Sequence, residues 1–188
     1  MRKIVYTHSV SLDGFFEGPG RDIGWHYVDE ELHAHFNDYL GAMGGFLSGR
    51  VTHQLMADHW PTADQKPDAS PTEREFAAIW RDMPKTVYSR TLEHADWNTT
   101  IEREVDPAKI RAMKEQPGGD LVVNGAVLAA EFAAHDLIDE YRVYVAPILL
   151  GRGERNFPDT DTRTRLTLTE NRTFGNGVVL LRYDVERP

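Results

Sequence analysis

The chain contains no cysteine. That removes disulfides, thiolate metal sites and a thiol nucleophile, and argues against a secreted disulfide scaffold. It also lacks any apolar run approaching the roughly 18 to 20 residues that a membrane-spanning helix needs. The opening stretch "MRKIVYTHSVSLDGFF" is interrupted by His8, Ser9, Ser11 and Asp13, where a signal peptide requires an unbroken apolar centre. A cytoplasmic protein is expected. Positive charge is scarce too: 21 Lys and Arg against 30 Asp and Glu give a formal net charge of -9. That sign argues against a general nucleic-acid or anionic-membrane binder, while a local basic pocket for one small anion stays compatible with it. Motifs are missing as well. "LVVNGAVLAAEF" carries neither a Walker loop nor GxGxxG, and the chain has no HExxH and no GxSxG. His33 and His35 lie two apart on a helical stretch and diverge, so no metal site is expected.

What is present fits one α/β domain spanning residues 1–188, with 40% hydrophobic and 27% charged residues. "RKIVYTHSV" reads as a strand feeding a long loop, "SLDGFFEGPGRDIGW". Leu32, Phe36, Tyr39 and Leu40 recur at helical spacing behind Asp29 as N-cap, with Glu30 and Glu31 in the first turn. "GGFLSG" is strand-like and "RVTHQLMADHW" helical, and "WPTADQKPDASPTE", with three prolines, reads as a surface loop. Thr72 and Glu75 fit a capping box for a helix carrying Phe76, Ile79 and Trp80, and the strand "KTVYS" follows. Asp106 and Pro107 open a further helix. Then come "DLVVN", a helix from about Ala126 to His135, the run "DEYRVYVAPILLG", and two β-like segments around "NRTFGNG". Alternating strands and helices predict parallel pairing, and the helix-free end predicts an antiparallel hairpin.

Three junctions share one pattern. "FLSGRVT", "TVYSRTL" and "VVNGAVL" each run from an apolar strand into small or polar residues at the strand's C-terminal end. Ligands bind at that edge of open α/β sheets, because helix N-termini and free backbone N–H groups converge there. Arg50 and Arg90 could both present forked donors to one phosphate group. Taken singly, each junction is also compatible with a purely structural turn.

Five segments, "SVSLDGF", "FLSGRVT", "KTVYSRTL", "GGDLVVNGAVLAAEF" and "LIDEYRVYVAPILLGRGERNFP", resemble the RibD C-terminal domain family in order and approximate spacing. The last of them is the most specific. The resemblance implies a dihydrofolate reductase-like fold, a three-layer α/β/α sandwich on a mixed, mostly parallel sheet, and an NADPH-dependent reductase. It implies that Ser48, Gly49, Arg50 and Thr52, with Ser89, Arg90 and Thr91, meet the adenosine and its 2′-phosphate. Asn124, Gly125 and Ala126, and the helix through Val127 and Leu128, would receive the pyrophosphate. Family members often have Gly-Gly where this chain has Asn124-Gly125, and Asn is the other residue that tolerates positive φ best.

For hydride transfer the candidate acids are Asp13 in "SLDG", at a recurrent family position, and Glu30, by analogy to the helix acid of dihydrofolate reductases. Each also has a structural reading, Asp13 as a turn residue and Glu30 as a favourable charge at a helix N-terminus. Arg152 and Arg155 fit either an anionic-substrate contact or solvated loop charges, and Asp139 and Glu140, within the "LIDEY" of the resemblance, fit chain reversal or a subunit contact at least as well as catalysis. The family's substrate is a phosphoribosylamino pyrimidine, reduced to its ribityl form. The deaminase half of bifunctional riboflavin-biosynthesis proteins uses cysteine zinc ligands, so this chain resembles a standalone reductase half acting on a pyrimidine- or pterin-like molecule. The family often forms homodimers, to which "YRVYVAPILL" could contribute. Two alternatives are a nucleotide-binding protein without turnover and a metal-dependent hydrolase.

Overall fold

The computed structural model describes residues 1–187. The chain begins with β1 (Ile4–Ser11), β2 (Phe15–Glu17), α1 (Glu30–Gly41), β3 (Gly45–Gly49), α2 (Arg50–Ala57), α3 (Pro71–Asp82), β4 (Lys85–Tyr88) and β5 (Thr99–Glu102). It continues through α4 (Pro107–Lys114), β6 (Leu121–Asn124), α5 (Ala126–Ala134), β7 (Glu140–Ala146), β8 (Glu154–Arg155), β9 (Leu166–Thr173) and β10 (Val179–Val185). Eight strands form one sheet in the order β5-β4-β3-β6-β1-β7-β10-β9. The first six of these pair in parallel, and β10 runs antiparallel to both β7 and β9.

The alternation of side chains along the central strands builds the layers. Ile4, Tyr6, Leu47, Leu121 and Val123 face one side and pack on Ile110 of α4 and Leu128, Ala129 and Phe132 of α5. Their neighbours Val5, Phe46 and Val122 face the other side and pack on Tyr39 of α1 and Phe76 and Trp80 of α3. Strands buried on both faces need apolar residues at every position, which is why "LVV" and "KIVY" read as near-continuous apolar runs. Each fully buried side chain of this kind contributes about 1.5 to 3 kcal/mol.

Some local expectations shift. The capping box of α3 is Ser70 with Glu73, not Thr72 with Glu75: Ser70 Oγ accepts from Glu73 N–H, and Glu73 Oε2 from Ser70 N–H. The helix starts earlier because Pro71, with its fixed φ and missing N–H, suits the first helical position. Glu75 instead accepts from Asn37 Nδ2, and Thr72 Oγ1 donates to Glu30. The proline-rich stretch is not all loop. Trp60–Gln65 forms a 3₁₀ helix with Pro61 and Ala63 buried, tied down by a bidentate Arg81–Asp64 pair. The short edge strand β5 and the β2–β8 ribbon inside the two long loops are too short to stand out by pattern.

Asp139 and Glu140 are structural. Asp139 accepts from Ile4 N–H and pairs with Lys114 and Arg187. Glu140, 1% exposed, is held by Arg182, Arg142 and Lys3. Burial works to raise its carboxyl, but the arginine hydrogen bonds outweigh it and the pKa is lowered. The run "YRVYVAPILL" lies mostly in β7, whose two edges are already occupied by β1 and β10, so that strand offers no free edge to a partner.

The corrected cap is testable by urea denaturation. Ser70→Ala should cost about 1 kcal/mol, whereas Glu75→Gln, which leaves the box intact, should cost roughly half that or less.

Candidate functional site

Strand β6 ends at Asn124, but its neighbour β1 runs on to Ser11, paired beyond that point only with β7. The chain turns away at Gly125, whose φ is +96°, and enters α5 directly. A Cβ on Gly125 would stand 2.6 Å from Thr52 Oγ1, so both the backbone angle and the space require glycine. Asn124 needs no special tolerance: it closes the strand, and the positive φ belongs to its neighbour.

Two cavities open at this step. One, of about 600 Å³, lies over the C-terminal ends of β3, β4 and β6; the other, of about 750 Å³, lies between β1, α1 and α3. They meet at His8, His26, Thr52, Met56, Asn124 and Gly125, forming one cleft with a waist. Both volumes fall in the range of small-molecule sites.

The first half collects most of the residues expected from the strand ends: Gly49, Arg50, Thr52, Ser89, Arg90, and Asn124 through Leu128. Ser48 and Thr91 support it from behind. Ser48 is buried within β3, and Thr91 N–H, with Leu92 N–H, donates to Ser89 Oγ and closes the turn. Helices α1, α3 and α4 have side-chain caps from Asp29, Ser70 and Asp106, whereas α2 and α5 start at Gly49 and Gly125 with none. Those two uncapped N-termini both border this half and leave first-turn N–H groups free for an anion. Arg21, Arg50, Arg90 and Arg103 lie around them. Exposed Val51, Leu55 and Val127 add an apolar rim that a flat ring could cover.

The second half is walled by aromatics. Trp60 and Phe76 meet edge to face with centroids 4.5 Å apart, and Phe36 and Tyr144 do so at 4.8 Å. Glu30 lines this half, its Oε2 accepting from Thr72 Oγ1. Asp13 does not line either half. Its carboxylate accepts from Ser11 Oγ at 2.7 Å, Gly151 N–H at 2.7 Å and Leu150 N–H at 3.1 Å. These hydrogen bonds, Ser11 foremost, hold its pKa at about 2. It locks the loop after β1 to the loop after β7, and its carboxylate is placed on those bonds and not among the residues lining the cleft.

His8 escapes pattern reading because one histidine in an alternating strand carries no signal. In the structure its Nδ1 lies 2.7 Å from Asn156 Oδ1, which also accepts from Tyr6 Oη–H. Burial, aided by His26, lowers its pKa to about 4 against the Asn156 hydrogen bond. The waist of the cleft therefore carries a neutral imidazole with Nε2 as its acceptor.

Residues 2–180 match the RibD C-terminal domain. The chain belongs to that family. It is 31% identical over 183 residues to the uncharacterized protein YyaP of Bacillus subtilis, covering 97% of this chain and 94% of that protein. Among solved structures it is similar to a putative riboflavin biosynthesis protein from Shewanella sp. PV-4, with a TM-score of 0.75, 19% identity, and coverage of 98% of this chain and 99% of that one. A Thermotoga maritima diaminohydroxyphosphoribosylaminopyrimidine deaminase/5-amino-6-(5-phosphoribosylamino)uracil reductase matches with a TM-score of 0.65 and 13% identity. There the alignment covers 98% of this chain but 56% of that one. The fold of this family member is dihydrofolate reductase-like, as the resemblance implied.

Two outcomes test the geometry. Gly125→Ala should destabilise the protein by about 1 to 3 kcal/mol, and adding Thr52→Ala should recover the steric part but not the φ penalty. In an NMR titration, the His8 ring protons should stay at their neutral positions down to about pH 5 and move as pH approaches 4. The unfolded chain takes up that proton nearer 6.5, so His8 contributes stability that is complete above that pH and lost as pH falls towards 4.

Proposed function

We propose that this protein is an NADPH-dependent reductase of a small pyrimidine- or pterin-like substrate. The observation that carries the reading is the pair of uncapped helix N-termini, α2 and α5, opening among arginines onto one half of a two-part cleft. The donor set fits a phosphate-rich dinucleotide. Ala126, Val127 and Leu128 N–H would hold the pyrophosphate, with Gly125 giving close backbone approach. Arg50 and Arg90 would hold a 2′-phosphate through charge-assisted hydrogen bonds, each worth roughly 1.5 to 3 kcal/mol. Arg50 Nη1 already rests on Gln54 Oε1 at 2.8 Å, which pre-orients the guanidinium.

When bound, the cofactor supplies a hydride to an electrophilic carbon of the substrate. The chain's residues position, exclude water and manage the proton. The aromatic walls hold a flat ring and keep water from the waist. His8 Nε2 accepts a hydrogen bond there, from a ring N–H or a carboxamide. Glu30 is the proposed acid, exchanging protons with solvent and relaying one to the reduced product. The Thermotoga protein's reductase reaction supports this class of chemistry, and this chain spans about half of that protein's length.

Binding titrations test the cofactor assignment. Arg50→Ala or Arg90→Ala should each weaken NADPH by roughly tenfold or more while changing NADH by about twofold or less. Equal losses for both nucleotides would contradict the 2′-phosphate assignment. Glu30→Gln should leave NADPH affinity intact and lower kcat by roughly 100-fold or more. If wild-type protein binds NADPH but oxidises none with any pyrimidine or pterin, the non-catalytic reading replaces this one.

A further inference from the structure

The two halves of the cleft differ in what they offer a negative charge. Four helix N-termini border it: α2 and α5 on the dinucleotide half, α1 and α3 on the aromatic half. The first pair is uncapped. The second pair is capped by the chain's own side chains, α1 by Asp29 and α3 by the Ser70 hydroxyl in a box with Glu73. Asp29 Oδ1 accepts from Leu32 N–H at 3.0 Å, and Glu73 Oε2 from Ser70 N–H at 2.8 Å. Side chains repeat the contrast. The dinucleotide half is lined by Glu17, Glu104 and Glu131 but also by Arg21, Arg50, Arg90 and Arg103, while no lysine or arginine is among the residues lining the aromatic half. Instead that half presents Asp29, Glu30 and Glu73. Its histidines add no positive charge near neutral pH, since burial lowers His8, His26 and His33.

Resting on the reductase reading above, we infer that the aromatic half accepts a flat, neutral or cationic heteroaromatic substrate that carries no phosphate. The phosphate-recognising apparatus is spent on one side of the waist. A phosphorylated ligand on the other side would lose its hydration among three carboxylates with no cation to replace it, and the open starts of α2 and α5 reach that half only at the waist, through Thr52 and Gly125. A heterocycle with ring N–H or amino donors meets the reverse: Glu30 and Asp29 as acceptors, His8 Nε2 as a further acceptor, and the edges and faces of Trp60, Phe76, Phe36 and Tyr144 for stacking. The uracil named for the Thermotoga protein's reductase step bears a phosphate, so this chain would differ from that protein in substrate while sharing its fold.

The test uses the full chain saturated with NADPH, with saturation followed by nucleotide fluorescence. Isothermal titration then compares 5-amino-6-(ribosylamino)uracil, its 5′-phosphate and 2,4-diaminopteridine. The nucleoside or the pteridine should bind at least roughly tenfold more tightly than the phosphate ester. Glu30→Lys should narrow that gap by about threefold or more through tighter phosphate-ester binding, at unchanged NADPH affinity. Equal or tighter binding of the phosphate ester by the wild type overturns the inference, as does failure of both unphosphorylated probes to bind. Failure of NADPH to bind instead overturns the cofactor reading, and the same three probes titrated against the free protein then judge the aromatic half alone.

Discussion

The site depends on one mismatch of strand length. β6 is four residues long and stops at Asn124, while β1 beside it continues to Ser11 with β7 as its remaining partner. A sheet that ended flush would present an even edge with no recess at its centre. Here the backbone leaves the sheet at Gly125, and the exposed flank of β1 brings Thr7, His8 and Ser9 to the floor of the cleft. The departure is sharp because Gly125 takes a φ that other residues adopt only with strain, and because Thr52 occupies the space where a side chain would go. Both halves of the cleft are arranged around that corner: α5 beginning one residue later, α2 across from it, and the aromatic chamber on the far side.

Much of this was legible beforehand where a residue type has one physical reason to be there. The strand-to-helix junctions at Gly49 and Gly125 and the apolar β-runs announced the parallel sheet and its binding edge, because doubly buried strands admit few polar residues. Asp29 and Asp106 announced their helices in the same way. What stayed hidden depends on long-range neighbours. Asp13 looked like an acid in a loop, but its role is fixed by Leu150 and Gly151, more than 130 residues away. His8 acquired meaning only from Asn156 and the end of β6. The α3 cap was mislaid by two residues because Ser70-Pro71-Thr72 offers two hydroxyls at similar spacing, and the proline decides between them.

Charge is distributed with the same economy as the backbone. A chain of net charge -9 gathers four arginines around the one half of its cleft where two helix N-termini are left open. In the other half the starts of α1 and α3 are capped by Asp29 and by the Ser70–Glu73 box.

The most direct test of the account is an amide ¹H–¹⁵N shift map of the protein titrated with NADPH. The account predicts saturable changes concentrated at Gly125, Ala126, Val127 and Leu128 and at Val51 and Thr52, the N–H groups at the starts of α5 and α2. Absence of saturable changes, or changes centred away from those two helix starts, would contradict it.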